Sequence, residues 1–183
     1  MSKIDRRSFL AAGIASASLS IPAARAATEP RYRSFRPGEA PALRSVFHAA
    51  VHRLARSHYR AEQLAAWAPA EHDAAQWAAR MQANQPFVAE AAGGAIAGFA
   101  DLQPSGYIDM LFVAPAFARQ GVASALMAHI HAQAAQQGLS RLWADVSLAA
   151  EPFFAARGFA VEERQAVERA GVVLHNARMG KAL

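Results

Sequence analysis

Residues 112–124 run Phe112-Val113-Ala114-Pro115-Ala116-Phe117-Ala118-Arg119-Gln120-Gly121-Val122-Ala123-Ser124. An apolar run ends at Val113, Pro115 breaks it, and a turn of small residues feeds a helix over Val122–Gln137. In that helix Val122, Ala125, Leu126 and Ile130 share a face, and Gly138 is its stop. Gly121 and Ala123 carry little or no side chain, so a ligand can approach the backbone there. The unpaired N–H groups of such a helix start point outward at the positive end of the dipole, which suits a phosphate or pyrophosphate. A tight strand-to-helix turn packed with small residues has the same composition, and the residues alone leave both uses open. No Lys-Ser/Thr pair follows Gly121, so the nucleotide P-loop is absent. No three-glycine pattern follows the first strand, so a dinucleotide-binding Rossmann unit has no support.

Before this turn, Tyr107 to Val113 is apolar except for Asp109 and reads as a central strand. Asp109 shares a face with Tyr107 and Leu111 by the period of two. Further back, Tyr32 to Phe35 reads as a first strand ended by Pro37-Gly38. Leu43, Val46, Phe47, Ala50, Val51 and Leu54 follow the spacing of an amphipathic helix. Two more helices are expected around Ala61–Trp67 and Asp73–Ala83, separated by Pro69. Phe87–Ala91 and Ile96–Ala100 flank Gly93-Gly94 and read as a hairpin. After the turn come a strand at Arg141–Val146, a short helix at Ala149–Arg157 with Ser147 as its N-cap, and closing strands at Phe159–Glu163 and Val172–Met179. The order predicts an α/β chain built on a mixed sheet with helices on both faces, with no repeat and no second domain.

The chain has 183 residues, 54% of them hydrophobic and 18% charged, with no cysteine. Such a hydrophobic content excludes global disorder, and the length suits one domain. The absence of cysteine excludes a disulfide framework, a thiolate metal site and a Cys nucleophile. Of the net charge of +5, +3 lies within Met1–Ala26, and the remaining arginines are dispersed. No basic stripe marks a nucleic-acid partner.

Met1–Ala26 reads as a secretory signal rather than as an amphipathic first helix. Lys3, Arg6 and Arg7 form its basic start, Phe9 to Ile21 its apolar stretch and Ala24-Arg25-Ala26 its small-x-small cleavage pattern. Asp5-Arg6-Arg7-Ser8-Phe9-Leu10 resembles the twin-arginine signal, in which paired arginines precede a Phe-Leu step. The apolar stretch falls short of the ~20 residues that a bilayer needs, so no stable membrane insertion is expected after processing. The reading places residues 27–183 as the functional domain in the periplasm or beyond it.

Phe112–Ser124 resembles motif A of the GCN5-related N-acetyltransferases (GNAT), a Gln/Arg-x-x-Gly-x-Gly/Ala turn that holds the pyrophosphate of acetyl-CoA. Tyr107–Val113, and Pro152-Phe153-Phe154 with Gly158-Phe159, are similar to later motifs of that family. His58-Tyr59, Gln63-Leu64, Ala66-Trp67-Ala68 and the ending Asn176-Ala177-Arg178-Met179 are similar to its YafP-like branch. The resemblance implies the GNAT fold, a central mixed, mostly antiparallel sheet flanked by helices. It also implies acetyl-CoA as co-substrate without a metal, and direct transfer of the acetyl group to the amine of a small molecule. The amides of Arg119, Gln120, Gly121, Val122, Ala123 and Ser124 would then hold the pyrophosphate, and the backbone at Leu111 and Val113 the pantetheine and acetyl group. Tyr59, Trp67 and Tyr107 would line the acceptor site.

An alkylammonium has pKa ~10.4 and must lose a proton to react. Asp109, the one carboxylate on its apolar strand, is the candidate base, acting through water. The alternative is a strand-edge carboxylate bonded to a neighbouring backbone N–H. Ser147 could orient a water or the cofactor. Two departures stand against the family pattern: Ala118 replaces the usual Gln or Arg, and Phe154 replaces the frequent Tyr that protonates the leaving thiolate. They favour a catalytically weak acyl-CoA-binding module as the alternative, and an exported domain without cofactor is a third reading. Acetyl-CoA is made in the cytoplasm, which makes that compartment the alternative location. A homodimer is compatible with the sequence. His48 and His52 are four apart on a helix without a third ligand, so a solvated face is expected rather than a metal site.

Overall fold

The computed structural model describes residues 30–183, and the signal-like segment lies outside them. The helical spacing of Leu43, Val46, Phe47, Ala50, Val51 and Leu54 predicts one apolar face, and α1 (Ala40–Leu54) forms there, burying Leu43, Val46, Ala50 and Val51. Leu54 departs from that face: it is exposed at the helix end, on a cleft described below. Two further helices follow, α2 (Ala61–Trp67) and α3 (Ala74–Asn84). Asp73 caps α3 by accepting from the N–H groups of Ala75 and Gln76, both at 2.9 Å.

Strand β1 (Arg31–Ser34) pairs with β2 (Phe87–Glu90), β2 with β3 (Ile96–Ala100), and β3 with β4 (Leu111–Val113), all antiparallel. The expected hairpin forms, with Gly93 and Gly94 at φ of 88° and 83°. Val88 and Phe99 face α1 and α3 in one core, while Ala89 and Ala100 face α4 (Val122–Gln136) in another. The second half is a separate antiparallel sheet ordered β5 (Arg141–Ser147), β7 (Val172–Ala182), β6 (Ala160–Arg169), with the short α5 (Glu151–Ala155) between β5 and β6. Helices therefore flank antiparallel sheets, and the parallel component is one isolated bridge, Tyr107 to Trp143.

That bridge marks a seam. Ile108 N–H donates to Trp143 O at 2.8 Å and Trp143 N–H to Gly106 O at 3.0 Å. Beyond it the chain at 109–113 and strand β5 share no ladder, so the two sheets splay apart. Gly106 sits at φ 78°, and a Cβ there would lie 2.1 Å from Arg141 O, so only glycine fits.

The strand expected over Tyr107–Val113 shortens to Leu111–Val113, and the cause is Asp101. Its fully buried carboxylate accepts from Asp109 N–H at 2.9 Å and Met110 N–H at 3.1 Å through Oδ1. A side chain thus takes the place of a ladder partner at residues 109 and 110. As a result Tyr107 and Asp109 do not share a surface with Leu111 as the period of two predicts.

Candidate functional site

Two cavities open where the sheets splay. The first, about 660 Å³, lies between β4, the start of α4 and the chain at 147–153. Arg119, Gly121, Val122, Ala123 and Ser124 line it, with Leu111 and Val113. Arg119 and Gly121 both have positive φ, 63° and 87°, which turns consecutive N–H groups inward as a nest. Among the described residues, no acceptor is bonded to any backbone N–H from Arg119 to Ser124. A Cβ at Gly121 would meet nothing within 4 Å, so the space beside this residue is open. Gln120 belongs to the turn but its side chain folds away from the cavity, donating to Ala116 O at 2.8 Å.

Backbone polarity continues this surface along β4. Ala114 N–H donates to Ala97 O and Asp101 N–H to Met110 O, so even-numbered residues turn their amides and carbonyls toward β3. By alternation, Leu111 and Val113 direct theirs into the splay. Open amides at the turn and free edge groups along the strand fit a long cofactor with a diphosphate at one end and an acyl thioester at the other. Acetyl-CoA has that form.

The second cavity, about 470 Å³, lies on the other side of the junction and is lined by polar and aromatic groups. Tyr59, Trp67, Tyr107, Asp109 and Ser147 all line it. Trp67, Phe112 and Ser147 line both cavities, so the two meet at these three side chains. Ser147 ends β5 and is not a helix cap, since α5 starts later with Ala150 at its N-cap; Ser147 Oγ makes no hydrogen bond to the other described residues.

Asp109 is held by three donors. Arg80 Nη2 lies 2.7 Å from both carboxylate oxygens and Asn84 Nδ2 2.7 Å from Oδ2. Asn84 also donates to Asp101 Oδ2 at 2.6 Å, linking the two carboxylates. Burial pushes the Asp101 carboxyl up to about 6, against the hydrogen bonds that favour its charge. Burial, with Asp109 and Asp145 nearby, pushes the Tyr107 phenol up to about 12, so it stays protonated at neutral pH. Its ring lies 4.3 Å from Trp143.

Tyr59 is buried, and its hydroxyl donates to His175 O at 2.6 Å while accepting from Leu148 N–H at 3.0 Å. With both roles filled it has no proton to offer a leaving group, and it clamps the chain after β5 to β7. Phe154 lies in the core with its ring 5.1 Å from Phe159 and lines neither cavity; Phe153 lines the first cavity instead. His48 and His52 are half-buried rather than solvated: their rings stack at 4.2 Å and His52 Nε2 donates to Ala68 O at 2.8 Å. No group of three or more metal-ligating side chains occurs among the described residues.

Composition and spacing gave no sign of Asp101, Asp145 or Arg44, all three of which bear on the site. Asp101 falls just past the apolar run Ile96–Ala100, and only the contact of its strand with residues 109–110 gives it partners. Asp145 alternates outward on β5, where it receives Arg178 Nε at 3.2 Å. Arg44 reads as the polar neighbour of Leu43, yet it is 6% exposed because Trp77 of α3 folds over it.

Residues 55–181 match the Acetyltransferase (GNAT) domain family. The chain is 34% identical over 154 residues to the uncharacterized N-acetyltransferase YafP of Escherichia coli (strain K12), covering 80% of this chain and 92% of that protein. A solved GCN5-related N-acetyltransferase from Rhodopseudomonas palustris superposes with a TM-score of 0.80 at 34% identity, over 85% of this chain and 96% of the other. The yncA protein of Salmonella typhimurium, solved with acetyl-CoA, shares the fold with a TM-score of 0.63 at 18% identity, covering 85% and 94% of the two chains. The chain belongs to the GNAT acetyltransferase family.

Proposed function

We propose that this protein transfers the acetyl group of acetyl-CoA directly to the amine of a small molecule held in the polar cavity. The observation that carries the reading is the meeting of two unlike cavities at Trp67, Phe112 and Ser147, one walled by free amides and one by ionisable and aromatic side chains. Acetyl-CoA supplies an acyl carbon activated by its thioester. The nest at Arg119–Ser124 binds its diphosphate, and the free edge of Leu111 and Val113 orients the pantetheine arm toward the junction.

Asp109 and Asp145, each paired with an arginine, offer carboxylate oxygens that accept from the N–H groups of the acceptor amine. Asp109 takes up the amine proton through water. A carboxylate already held by Arg80 is a weak base toward a free ammonium, but nitrogen becomes far more acidic as its bond to the acyl carbon forms, so a weak base suffices at that point. Phe154 gives no proton to the departing sulfur, and Ser147 Oγ is the hydroxyl at the junction with capacity to donate to it.

Acetyl-CoA is expected to raise the melting temperature of the protein, and a panel of small amines is expected to release free thiol from it. Asp109→Asn is expected to cut turnover at least about tenfold while keeping the melting shift, since its role falls in the proton step. Thermal stabilisation with no thiol release from any amine would contradict the transfer reading.

A further inference from the structure

Arg44 is a buried cation without a carboxylate. Its residue is 6% exposed, and none of the ion pairs among the described residues includes it. Nη2 donates to Pro69 O, and the guanidinium carbon lies 5.1 Å from the Phe47 ring and 5.8 Å from the Trp77 ring. Two aromatic faces and one carbonyl leave most of its five donors unused. Those nitrogens are not sealed, because Arg44 has no fully buried polar atom left unpaired and the residue lines the polar cavity. An arginine that is desolvated, stacked and open at its edge toward a cavity is a site for a planar anion.

The charge of the cavity wall agrees. Arg80 is neutralised by Asp109 and Arg178 by Asp145, whereas Arg44 and Arg169 have no acidic partner among the described residues. The wall therefore carries an excess of positive charge, which opposes a polycationic acceptor. Distance agrees as well: the Phe47 ring that touches Arg44 lies 4.8 Å from the Phe112 ring, and Phe112 stands at the junction. One aromatic ring separates the cation from the place where the cavities meet.

We propose that the acceptor carries a carboxylate in addition to its amine, and that Arg44 binds this carboxylate so that the amine, several bonds away, reaches the junction. This rests on the transfer reading above and names its substrate class.

The test uses protein saturated with coenzyme A, titrated with matched pairs: β-alanine, 4-aminobutanoate and the common L-amino acids against their amides, with spermidine and phosphoethanolamine alongside. Trp67 and Trp77 line the cavity, so their fluorescence reads binding. At least one carboxylate is expected to bind tenfold or more tightly than its amide, in keeping with a charge-assisted hydrogen bond. Arg44→Gln is expected to abolish that preference and Arg44→Lys to keep part of it. The wild-type comparison stands even if a variant folds poorly. Equal binding within every pair overturns the proposal, as does spermidine or phosphoethanolamine binding more tightly than every carboxylate. Thiol release from acetyl-CoA separates the two claims. Transfer without a carboxylate preference leaves the enzymatic reading standing and removes this one. A carboxylate preference without transfer does the reverse.

Discussion

Asp101 is a carboxylate with no exposed surface, held by two amides and Asn84 and facing the charge of Asp109. Its proton is bound more tightly in the folded state, near 6, than in the unfolded chain near the ordinary 3.8. Its contribution to stability is therefore fully present below about pH 4 and is lost as pH rises through 6. The shift corresponds to a term on the order of 3 kcal/mol. Urea denaturation from pH 4 to 8 is expected to show that loss in the wild type and a flatter profile in Asp101→Asn. Unchanged pH dependence in the variant would assign the effect elsewhere. Arg44 shows the same logic in a cation: burial lowers its pKa, and what surrounds it comes from α1, α3 and the chain at Pro69, three separate parts of the sequence. Neither residue carries a local mark, which is why period and spacing pass over both.

At the scale of elements, the order of strands and helices was legible because each apolar face is written at its own period: 43, 46, 50 and 51 in α1, and 122, 126 and 130 in α4. The hairpin was legible from Gly93-Gly94. What failed lies where a neighbour decides. β6 runs to Arg169, well past Glu163, because pairing with β7 holds it, although its side chains are nearly all exposed and show no alternation. β4 is cut short by a side chain from β3's extension, which no reading of 107–113 contains. The turn at Gly121 was the most legible part of the first cavity's lining, since Gly121 and its small neighbours are local. The polar cavity was the least, being assembled from α1, α2, α3, β4, β5, β6 and β7. The seam offers a test at this scale. Gly106→Ala forces a Cβ onto Arg141 O at positive φ, so it is expected to cost about 2 kcal/mol or more. Calorimetry should then show a melting temperature lower by several degrees, at roughly 2–4 °C per kcal/mol for this size.

For the whole molecule, the residues outside the described part raise the question of compartment. If Met1–Ala26 is read as an export signal, intact-mass measurement of membrane-fraction or secreted material is expected to find a chain starting at Ala27. Only full-length protein in every fraction would remove that expectation and leave acetyl-CoA freely available to it. Tyr59, bonded to His175 O and Leu148 N–H, shows how the two halves are tied around the site by a side chain in addition to the single bridge at the seam.

The seam between the sheets has one more implication, because it coincides with a division along the chain. All four strands of one sheet, and α4, come before Gly138; all three strands of the other come after it. A nick in the exposed turn at Gly138 would therefore yield two fragments, each owning an unbroken sheet and one wall of the junction. Leu126 and Ile130 on one piece and Leu142, Val146 and Met179 on the other form a shared apolar contact that can rejoin them. Co-expressed fragments cut at that turn should reassemble into a single particle on size-exclusion chromatography, as expected of a protein whose halves dock rather than interlace.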